Sequence, residues 1–476
     1  MENYEESGSY DEESQGPLKT GDTLIRRISI DSQINSKITN RVDYALLQEV
    51  YEKTYRKNQI IVTFQTKNGK VDEKHIEKVK HFFHKHGVKN IKIQKCDNCE
   101  LPVQLWSAEG IEVVVAGVRA GTGGNPNLVG ESYSLNFLSN IPANNWGQSD
   151  HLLTVGKSVR SNRAVKIAVL DTGIDPFIVD KGYTSDDLQN TDECECYKDY
   201  VSEGWNFFAN NRDIEDDDPA RHGSLVTQFI INEFKNVADR TLTIIPVKTH
   251  DKDGQSDLFK IYCAIYYAIA KGANIINASW GFYYYDDLPI EPLNSVITTL
   301  KEKGVLFVTA AGNKLSVQDD SFAAAICRLR NHFNPLPFQL RDLALHQFLP
   351  ANLSQENTNV ITVTTTNGLG VAFTENHSNV FVDLGVIADE TDADNDLSFK
   401  VPFKQTGGGP PATVKGSSFA TAIATGVIGA NCDLNLYAHN LINKESFISE
   451  LIEKRVGQIF PDLQSELVKN GVCIRK

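Results

Sequence analysis

The sequence predicts an α/β protein with an open, mostly parallel sheet flanked by helices, preceded by a small N-terminal α+β module. Two observations support this prediction. From residue 164 onward, near-continuous apolar runs, typical of strands buried on both faces of a sheet, alternate with segments of helical periodicity. Before that point, short strand-like runs surround one amphipathic helix.

The composition is that of a soluble globular protein with more than one domain. The 476 residues are 41% hydrophobic and 23% charged, which provides for a sizeable core. Lys and Arg number 47 against 61 Asp and Glu, so the formal net charge is 47 − 61 = −14. This balance argues against nucleic acid or an anionic membrane as the main partner, because both attract clustered positive charge.

The N-terminal module is predicted from one helix and four strands. The segment 72–86 has apolar residues at helical spacing and ends at Gly87, a helix stop signal. The predicted strands are Ile60–Phe64, Ile91–Gln94, Val103–Trp106 and Ile111–Val115. The predicted division of the whole chain is a disordered acidic tail (1–21), the module (22–120), a linker rich in Gly and Asn (121–150), the main α/β domain (151–435) and a C-terminal helical extension packed on it (436–476).

The main domain is predicted from apolar strands separated by helices. The strands are expected at Val165–Leu170, Thr241–Thr249, Ala273–Trp280, Val305–Gly312 and Asn359–Thr365, and the helices at Asp257–Lys271 and Pro292–Lys303. In such sheets functional groups collect at the carboxyl ends of the strands.

Three reactive side chains stand at the end of a strand or the start of a helix. Asp171 follows a buried strand, His222 precedes a helix-like run, and Ser418 stands where a glycine-containing turn begins a helix of small residues. Serine is a poor nucleophile at neutral pH, so an imidazole must take its proton and a carboxylate must orient that imidazole. The three residues therefore predict a nucleophilic relay. Each residue alone also suits a turn, a cap or packing.

The segments around these residues resemble those of the subtilisin-like serine proteases. Asp171 stands in DTGI, His222 in HGS and Ser418 in GSSFA, in the chain order typical of that family. Asn313 ends VTAAGN, which is similar to the family segment that carries the oxyanion asparagine. The resemblance covers roughly residues 164–430.

The resemblance implies a serine endopeptidase that uses an Asp-His-Ser relay and an asparagine-assisted oxyanion hole. Peptide would bind as an added strand. The residues implied to bind substrate are Ser279, Trp280, Gly281, Ala311 and Gly312 around the first specificity pocket, and Gly254 on the other side of the peptide. For Trp280, packing in the core is an equal alternative. The implied partner is a protein or peptide substrate, with neither nucleic acid nor membrane.

A second interpretation is a catalytically silent member that binds peptide or a partner through its cleft or through its N-terminal module. The chain departs from the family pattern at Phe419 and Ala422, where methionine and proline are usual, and these departures concern packing. The span 314–350 is longer than expected and is predicted to form a helix and a wall or lid near the cleft.

The N-terminal module resembles, in size and element order, the prodomains that accompany many subtilisin-like enzymes. The resemblance implies an intramolecular inhibitory contact, with a self-processing cut, if there is one, inside 133–146. An independent partner-binding role, or neither role, remains an alternative for the module.

No cofactor is required by this chemistry, and no metal site is predicted. The acidic segment Asp213–Asp218 would attract calcium but lacks the glycine and the alternating ligands of a calcium loop. Cys96 and Cys99 suit a turn with free thiols better than a zinc site. The acidic N-terminus, which lacks an export signal, and the eight cysteines predict a cytoplasmic protein.

Overall fold

The computed structural model describes most of the chain. The described residues are 53–64, 71–96, 102–115, 131–141, 151–152, 164–174, 204–235, 237, 239–284, 290–313, 317–331, 334–391, 396–402, 404–405, 412–434, 441–464 and 466–474. The predicted acidic tail and Cys99 lie outside these ranges.

Helices and strands alternate along most of the described chain. The helices are α1 (Glu73–Lys85), α2 (His222–Glu233), α3 (Leu258–Ala270), α4 (Glu291–Glu302), α5 (Val317–Asn331), α6 (Ser417–Asn431), α7 (Lys444–Glu453) and α8 (Pro461–Gln464). The strands are β1 (Tyr55–Phe64), β2 (Lys92–Lys95), β3 (Val103–Ser107), β4 (Glu131–Asn140), β5 (His151–Leu152), β6 (Ala164–Asp171), β7 (Trp205–Asn206), β8 (Thr241–Lys248), β9 (Gln255–Asp257), β10 (Ile275–Ala278), β11 (Phe282–Tyr284), β12 (Leu306–Ala310), β13 (Gln347–Leu349), β14 (Val360–Thr366), β15 (Leu384–Ile387), β16 (Glu390–Thr391), β17 (Leu397–Lys400), β18 (Lys404–Gln405), β19 (Thr413–Val414), β20 (Gly457–Ile459) and β21 (Val472–Ile474).

A mostly parallel sheet forms the centre of the main domain, as predicted. Within the described residues its strand order is β20-β21-β15-β14-β12-β10-β6-β8-β7. Neighbouring strands are parallel throughout, except that β20 runs antiparallel to β21. The order reverses beside β6, so the carboxyl ends of β6, β8, β10 and β12 meet at one edge.

Helices cover both faces of this sheet. Apolar side chains of α2 and α6 pack on one face together with α7. Those of α3 and α4 pack on the other face. The predicted helices over 257–271 and 292–303 are therefore confirmed, and Asp257 caps the first through its carboxylate, which accepts from the backbone N–H of Lys260. Within the described residues, no helix combines the length and the apolar character that crossing a bilayer requires.

The N-terminal module is an antiparallel sheet with one helix packed on it. The order β2-β3-β1-β4-β9 joins the module to β9 of the main domain. Helix α1 is capped by Asp72 and buries Ile76, Val79 and Phe83 against the sheet.

Two expectations for this region are wrong. Residues 131–140, predicted as part of the linker, form β4, because their alternating apolar side chains pair with β1. Residues 111–115, predicted as a strand, are helical. Ile111 and Val115 are both buried in the module's core at a spacing of four, and a run this short does not reveal its period.

The C-terminal segment contains both helix and strand. Helix α7 agrees with the predicted helical extension, but β20 and β21 extend the main sheet beside β15. The VCI run of β21 is short and fully buried, so the sequence alone does not distinguish it from a helix.

Candidate active site

Asp171 and His222 form a hydrogen-bonded pair at the edge of the sheet. Asp171 is the last residue of β6, and His222 is the first residue of α2. The imidazole Nδ1 lies 2.8 Å from Asp171 Oδ1, and both side chains are buried. The same Oδ1 accepts the backbone N–H of Thr172 at 2.8 Å, which holds the carboxylate in place. A carboxylate on Nδ1 leaves Nε2 as the nitrogen that can accept a proton.

The acidic segment before α2 satisfies the free amides of that helix. The backbone N–H of His222 donates to Asp218, and that of Ser224 donates to Asp216, each at 2.9 Å. Between them, the N–H of Gly223 donates to the Thr172 hydroxyl. These bonds cap the helix start and fix the backbone of His222 relative to Asp171.

The carboxylates around His222 raise its pKa. Burial alone would lower it, but the charge and hydrogen bond of Asp171, with the charges of Asp218 and Asp216, raise the pKa of His222 above its ordinary value. Asp216 itself has a pKa raised to about 6 by burial, against the lowering effect of its bonds from Ser224.

Ser418 stands in the first turn of α6, at the same edge of the sheet. Its hydroxyl donates to the Ser279 carbonyl at 3.1 Å, and the Ser279 hydroxyl donates back to the Ser418 carbonyl at 2.9 Å. Phe419, the next residue, packs its ring 5.4 Å from the His222 ring. The residue after Ser418 thus contacts the imidazole, and the Ser418 hydroxyl donates to Ser279.

The side-chain amide of Asn313 is oriented by Ser417. Asn313 Oδ1 accepts both the backbone N–H and the hydroxyl of Ser417, each at 2.9 Å. Because a backbone N–H only donates, the oxygen must face Ser417, and the Nδ2 group faces the Gly416 turn at the start of α6. Gly416 has φ +123, a conformation that favours glycine, and a Cβ there would lie 2.9 Å from Asn313 Nδ2.

The predicted peptide-binding residues Gly254 and Gly281 contact the end of β4. Asn140 exchanges backbone hydrogen bonds with Gly281 at 3.1 and 3.3 Å, and Ile141 donates to the Gly254 carbonyl at 2.8 Å. On the other side, Ser139 pairs with Ser256 of β9. A Cβ on Gly254 would lie 2.8 Å from the Ile141 carbonyl oxygen, so the glycine permits this close approach. The last residues of β4 therefore lie as a middle strand between β9 and Gly281.

The remaining predicted pocket residues are buried. Ala311 and Gly312 follow β12, and Trp280 follows β10. Trp280 is 1% exposed and packs against Phe307 and His250, which agrees with the core alternative for this residue. Gly281 and Gly312 both contact the ring of Phe348, which comes from the long 314–350 span. That span contains α5 and β13, and β13 pairs with β11.

Sequence reasoning missed His250 and Ser417. His250 is fully buried after β8, and its Nε2 lies 3.3 Å from the Ser139 hydroxyl of β4. Burial lowers the pKa of His250 to about 3, with His222 and Lys260 adding to the effect, so the ring is neutral. Ser417 could have been noticed in the sequence as a polar residue directly before the candidate nucleophile. No comparable sequence signal marks His250.

No group of three or more His, Cys, Asp or Glu side chains suited to a metal ion occurs among the residues that the structure describes. Three carboxylates of the acidic segment Asp213–Asp218 bond to other parts of the protein. Asp216 and Asp218 cap α2, and Asp217 pairs with Lys248 at 2.5 Å.

The fold and this site define a protein with a hydrogen-bonded carboxylate–imidazole pair, a serine in the first turn of a helix and an oriented asparagine, all at one edge of a parallel α/β sheet. The model of the subtilase family matches residues 162–440, more than half of the chain. The chain belongs to the subtilase family.

Individual relatives are similar over shorter stretches. The chain is 36% identical over 124 residues to a cell wall-associated protease of Bacillus subtilis (strain 168), which covers 25% of this chain and 12% of that protein. It is 32% identical over 154 residues to a thermophilic serine proteinase of Bacillus sp. (strain AK1), which covers 31% of this chain and 33% of that protein. The chain thus matches an eighth to a third of the length of these curated relatives.

Two solved structures are similar to this chain at low sequence identity. One is the epidermin leader peptide processing serine protease of Staphylococcus aureus, with a TM-score of 0.44 and 15% identity, covering 79% of this chain and 88% of that one. Another is a lanthipeptide protease, with a TM-score of 0.43 and 17% identity, covering 65% of this chain and 85% of that one.

Proposed function

We propose that this chain is a serine endopeptidase with Ser418 as its nucleophile. The observation that carries the proposal is the buried hydrogen bond between His222 and Asp171, at the sheet edge where Ser418 stands in the first turn of α6. Membership of the subtilase family supports it. The substrate is a protein or peptide.

The reaction begins when the Ser418 hydroxyl turns from the Ser279 carbonyl to His222 Nε2. Ser418 Oγ attacks the peptide carbonyl while its proton passes to Nε2, and His222 then protonates the leaving amine. Asp171 keeps the imidazole in the required tautomer and stabilises its charged form. Water then attacks the acyl carbonyl while His222 takes its proton, and the Ser418 oxygen leaves with that proton as the ester bond breaks.

The negative charge on the attacked oxygen is stabilised by two donors. These are the Nδ2 group of Asn313 and the backbone N–H of Ser418 in the first turn of α6. The hydrogen bonds from Ser417 to Asn313 Oδ1 support this role, since they direct the donor end of the amide towards the turn before Ser418.

The N-terminal module inhibits the enzyme by filling its groove. The end of β4 makes main-chain hydrogen bonds on both edges, to β9 and to Gly281, as an extended peptide substrate would. Phe137 of β4 also stacks on Phe282 at 5.8 Å, which secures the module beside the groove. A substrate must displace this strand before it can bind.

A fluorophosphonate probe tests the nucleophile directly. Wild-type protein should acquire one adduct on Ser418, and both Ser418→Ala and His222→Ala should acquire none. An exposed-residue change on α4, Glu302→Gln, serves as the control and should label like the wild type. Labelling of Ser418→Ala at the wild-type rate would refute the assignment.

Intact-mass measurement tests whether the module is cut by the same chain. Self-processing predicts a shorter wild-type protein and a full-length Ser418→Ala protein. Identical masses for both would exclude self-processing in cis and leave the module as a bound inhibitor.

One observation favours a second candidate, a catalytically silent peptide-binding protein. The Ser418 hydroxyl donates to Ser279 and the groove holds a strand of the same chain, so the described state is a closed one. Failure of the probe to label Ser418, even after the module has been displaced, would favour this candidate.

A further inference from the structure

Phe348 occupies the space between the two glycines that flank the proposed substrate pocket. A Cβ on Gly281 would lie 2.3 and 2.5 Å from two carbons of the Phe348 ring, and a Cβ on Gly312 would lie 2.7 Å from two carbons of the same ring. The ring therefore packs directly on both backbone segments. Phe348 is 3% exposed.

The ring of Phe348 is held from behind. Tyr283 lies opposite Phe348 in the β11–β13 ladder, and their ring centroids are 5.1 Å apart. The Tyr283 hydroxyl lies within hydrogen-bond distance of the Asn313 carbonyl and of Asn376 Oδ1. The ring of His346 packs on Tyr283 at 5.3 Å. The backbone N–H of Phe348 donates to Asn352 at 2.8 Å, so the ring and its backbone are both anchored.

The position of the bound strand defines which substrate residue faces this ring. Asn140 pairs antiparallel with Gly281. In the same register, the second residue after Asn140 in a bound peptide lies opposite Ser279, whose carbonyl contacts the Ser418 hydroxyl. The residue on the acyl side of the cleaved bond would therefore lie opposite Ser279, two positions from Gly281, whose backbone contacts the Phe348 ring.

We propose that Phe348 closes the first specificity pocket and restricts this substrate position to small residues, namely glycine, alanine and serine. The inference rests on the proposed protease function. A large side chain would have to displace a ring that packs on two backbone segments and is supported by Tyr283. Close-packed interiors do not yield such space without repacking.

Cleavage of a peptide series by the full-length chain tests the proposal. The series is Leu-Ser-Asn-Ile-X joined to a fluorogenic amine, with X as Gly, Ala, Leu or Phe. Its first four residues copy Leu138–Ile141, the segment that lies in the groove. Because the module competes equally with every peptide, its occupancy cancels when values of kcat/KM are compared between peptides.

The variants Phe348→Ala and Phe348→Leu enlarge the pocket in two steps. Wild-type protein should prefer X as Ala or Gly, and Phe348→Ala should raise the Phe-to-Ala ratio of kcat/KM by at least about 100-fold, since one methylene already changes such ratios about 10–200-fold. Phe348→Leu, which disturbs the core less, should give a smaller change in the same direction. Phe447→Ala removes an equally buried ring from α7 and should leave the ratio unchanged.

The outcomes separate the two claims. Efficient wild-type cleavage after Phe or Leu, or an unchanged ratio in both Phe348 variants, would overturn the role of Phe348 while leaving the protease function intact. Absence of cleavage in every protein, together with absence of fluorophosphonate labelling, would overturn the protease function and this inference with it.

Discussion

The backbone N–H of Asn140 donates to the Gly281 carbonyl at 3.1 Å, and the N–H of Gly281 donates back to Asn140 at 3.3 Å. This pair joins the last strand of the N-terminal module to one edge of the proposed substrate groove. On the other edge, Ser139 and Asn140 pair with β9. In the proposed inhibitory role, the module would compete with substrate for these main-chain donors and acceptors.

Asn140→Pro should open the groove. Proline removes the N–H that bonds to Gly281 and fits poorly in a middle strand, so the strand should leave the groove more often. Loss of one such bond favours the open form by about tenfold, and the rate of fluorophosphonate labelling should rise by a similar factor. Asn140→Ala keeps the backbone bond and should label at the wild-type rate. Equal rates for all three proteins would contradict the inhibitory role of β4.

Ser417→Ala should slow turnover without weakening substrate binding. The Ser417 hydroxyl orients Asn313, so its loss should lower kcat by about tenfold with KM nearly unchanged. Asn313→Ala should lower kcat by about 10²–10³, the range found when subtilisin itself loses an oxyanion donor. Ser417→Thr keeps the hydroxyl and should restore kcat. A Ser417→Ala protein with raised KM and normal kcat would remove Ser417 from this positioning role.

Asp218→Asn should move the acidic limb of the pH profile to lower pH. His222 must be neutral to accept the serine proton, so activity falls as pH drops through its pKa. Asp218 helps to raise that pKa, and asparagine keeps the acceptor for the His222 N–H while removing the charge. The profile of kcat/KM against pH measures the shift. Asp217→Asn changes a carboxylate that pairs with Lys248 and should leave the limb in place. A limb that moved to higher pH in Asp218→Asn would contradict this account of the site.

Glu375→Gln should stabilise the fold at alkaline pH. Glu375 forms a backbone bridge with Asn313 and is fully buried, accepting from Thr365 and Thr364. Burial raises its pKa to about 7, against the lowering effect of the Thr365 hydrogen bonds. Glu375 therefore ionises at lower pH in the unfolded chain than in the folded one. The wild type loses stability as the pH rises from the unfolded pKa of 4.5 to the folded pKa.

The free energy of unfolding of Glu375→Gln, taken relative to that of the wild type, should be larger at pH 8 than at pH 4 by on the order of 3 kcal/mol, since one pKa unit corresponds to about 1.4 kcal/mol. Urea unfolding of both proteins at the two pH values measures it, with the exposed Glu302→Gln as control. A gain that was the same at both pH values would show that the carboxyl does not titrate as described.

Much of the fold was predictable because the main sheet is built from local signals. Continuous apolar runs marked the buried strands, and Asp257 marked the start of α3. Asp171 and His222 were predictable as candidates because each occurs in a short motif at a strand end or a helix start. Their contact depends on the start of α2 lying against the carboxyl end of β6, the edge where functional groups of a parallel sheet are expected to collect.

The missed features depend on contacts between distant parts of the chain. The strand over residues 131–140 was not predicted because its partners, β1 and β9, lie far away along the chain. Phe348 carries no sequence signal of its role, since only the approach of Gly281 and Gly312 from two other strands gives the ring its position. His250 was overlooked because one histidine after a strand is uninformative until Ser139 lies against it.

A double-mutant cycle on peptide hydrolysis tests the relay most directly. The values of kcat are measured for the wild type, Ser418→Ala, His222→Ala and the double variant on the Leu-Ser-Asn-Ile-Ala substrate. If the two side chains act as one unit, each single change lowers kcat by about 10⁶, as in subtilisin, and the double change costs little more. Substantial turnover by Ser418→Ala, or losses that simply multiply in the double variant, would show that the serine and the imidazole do not work together.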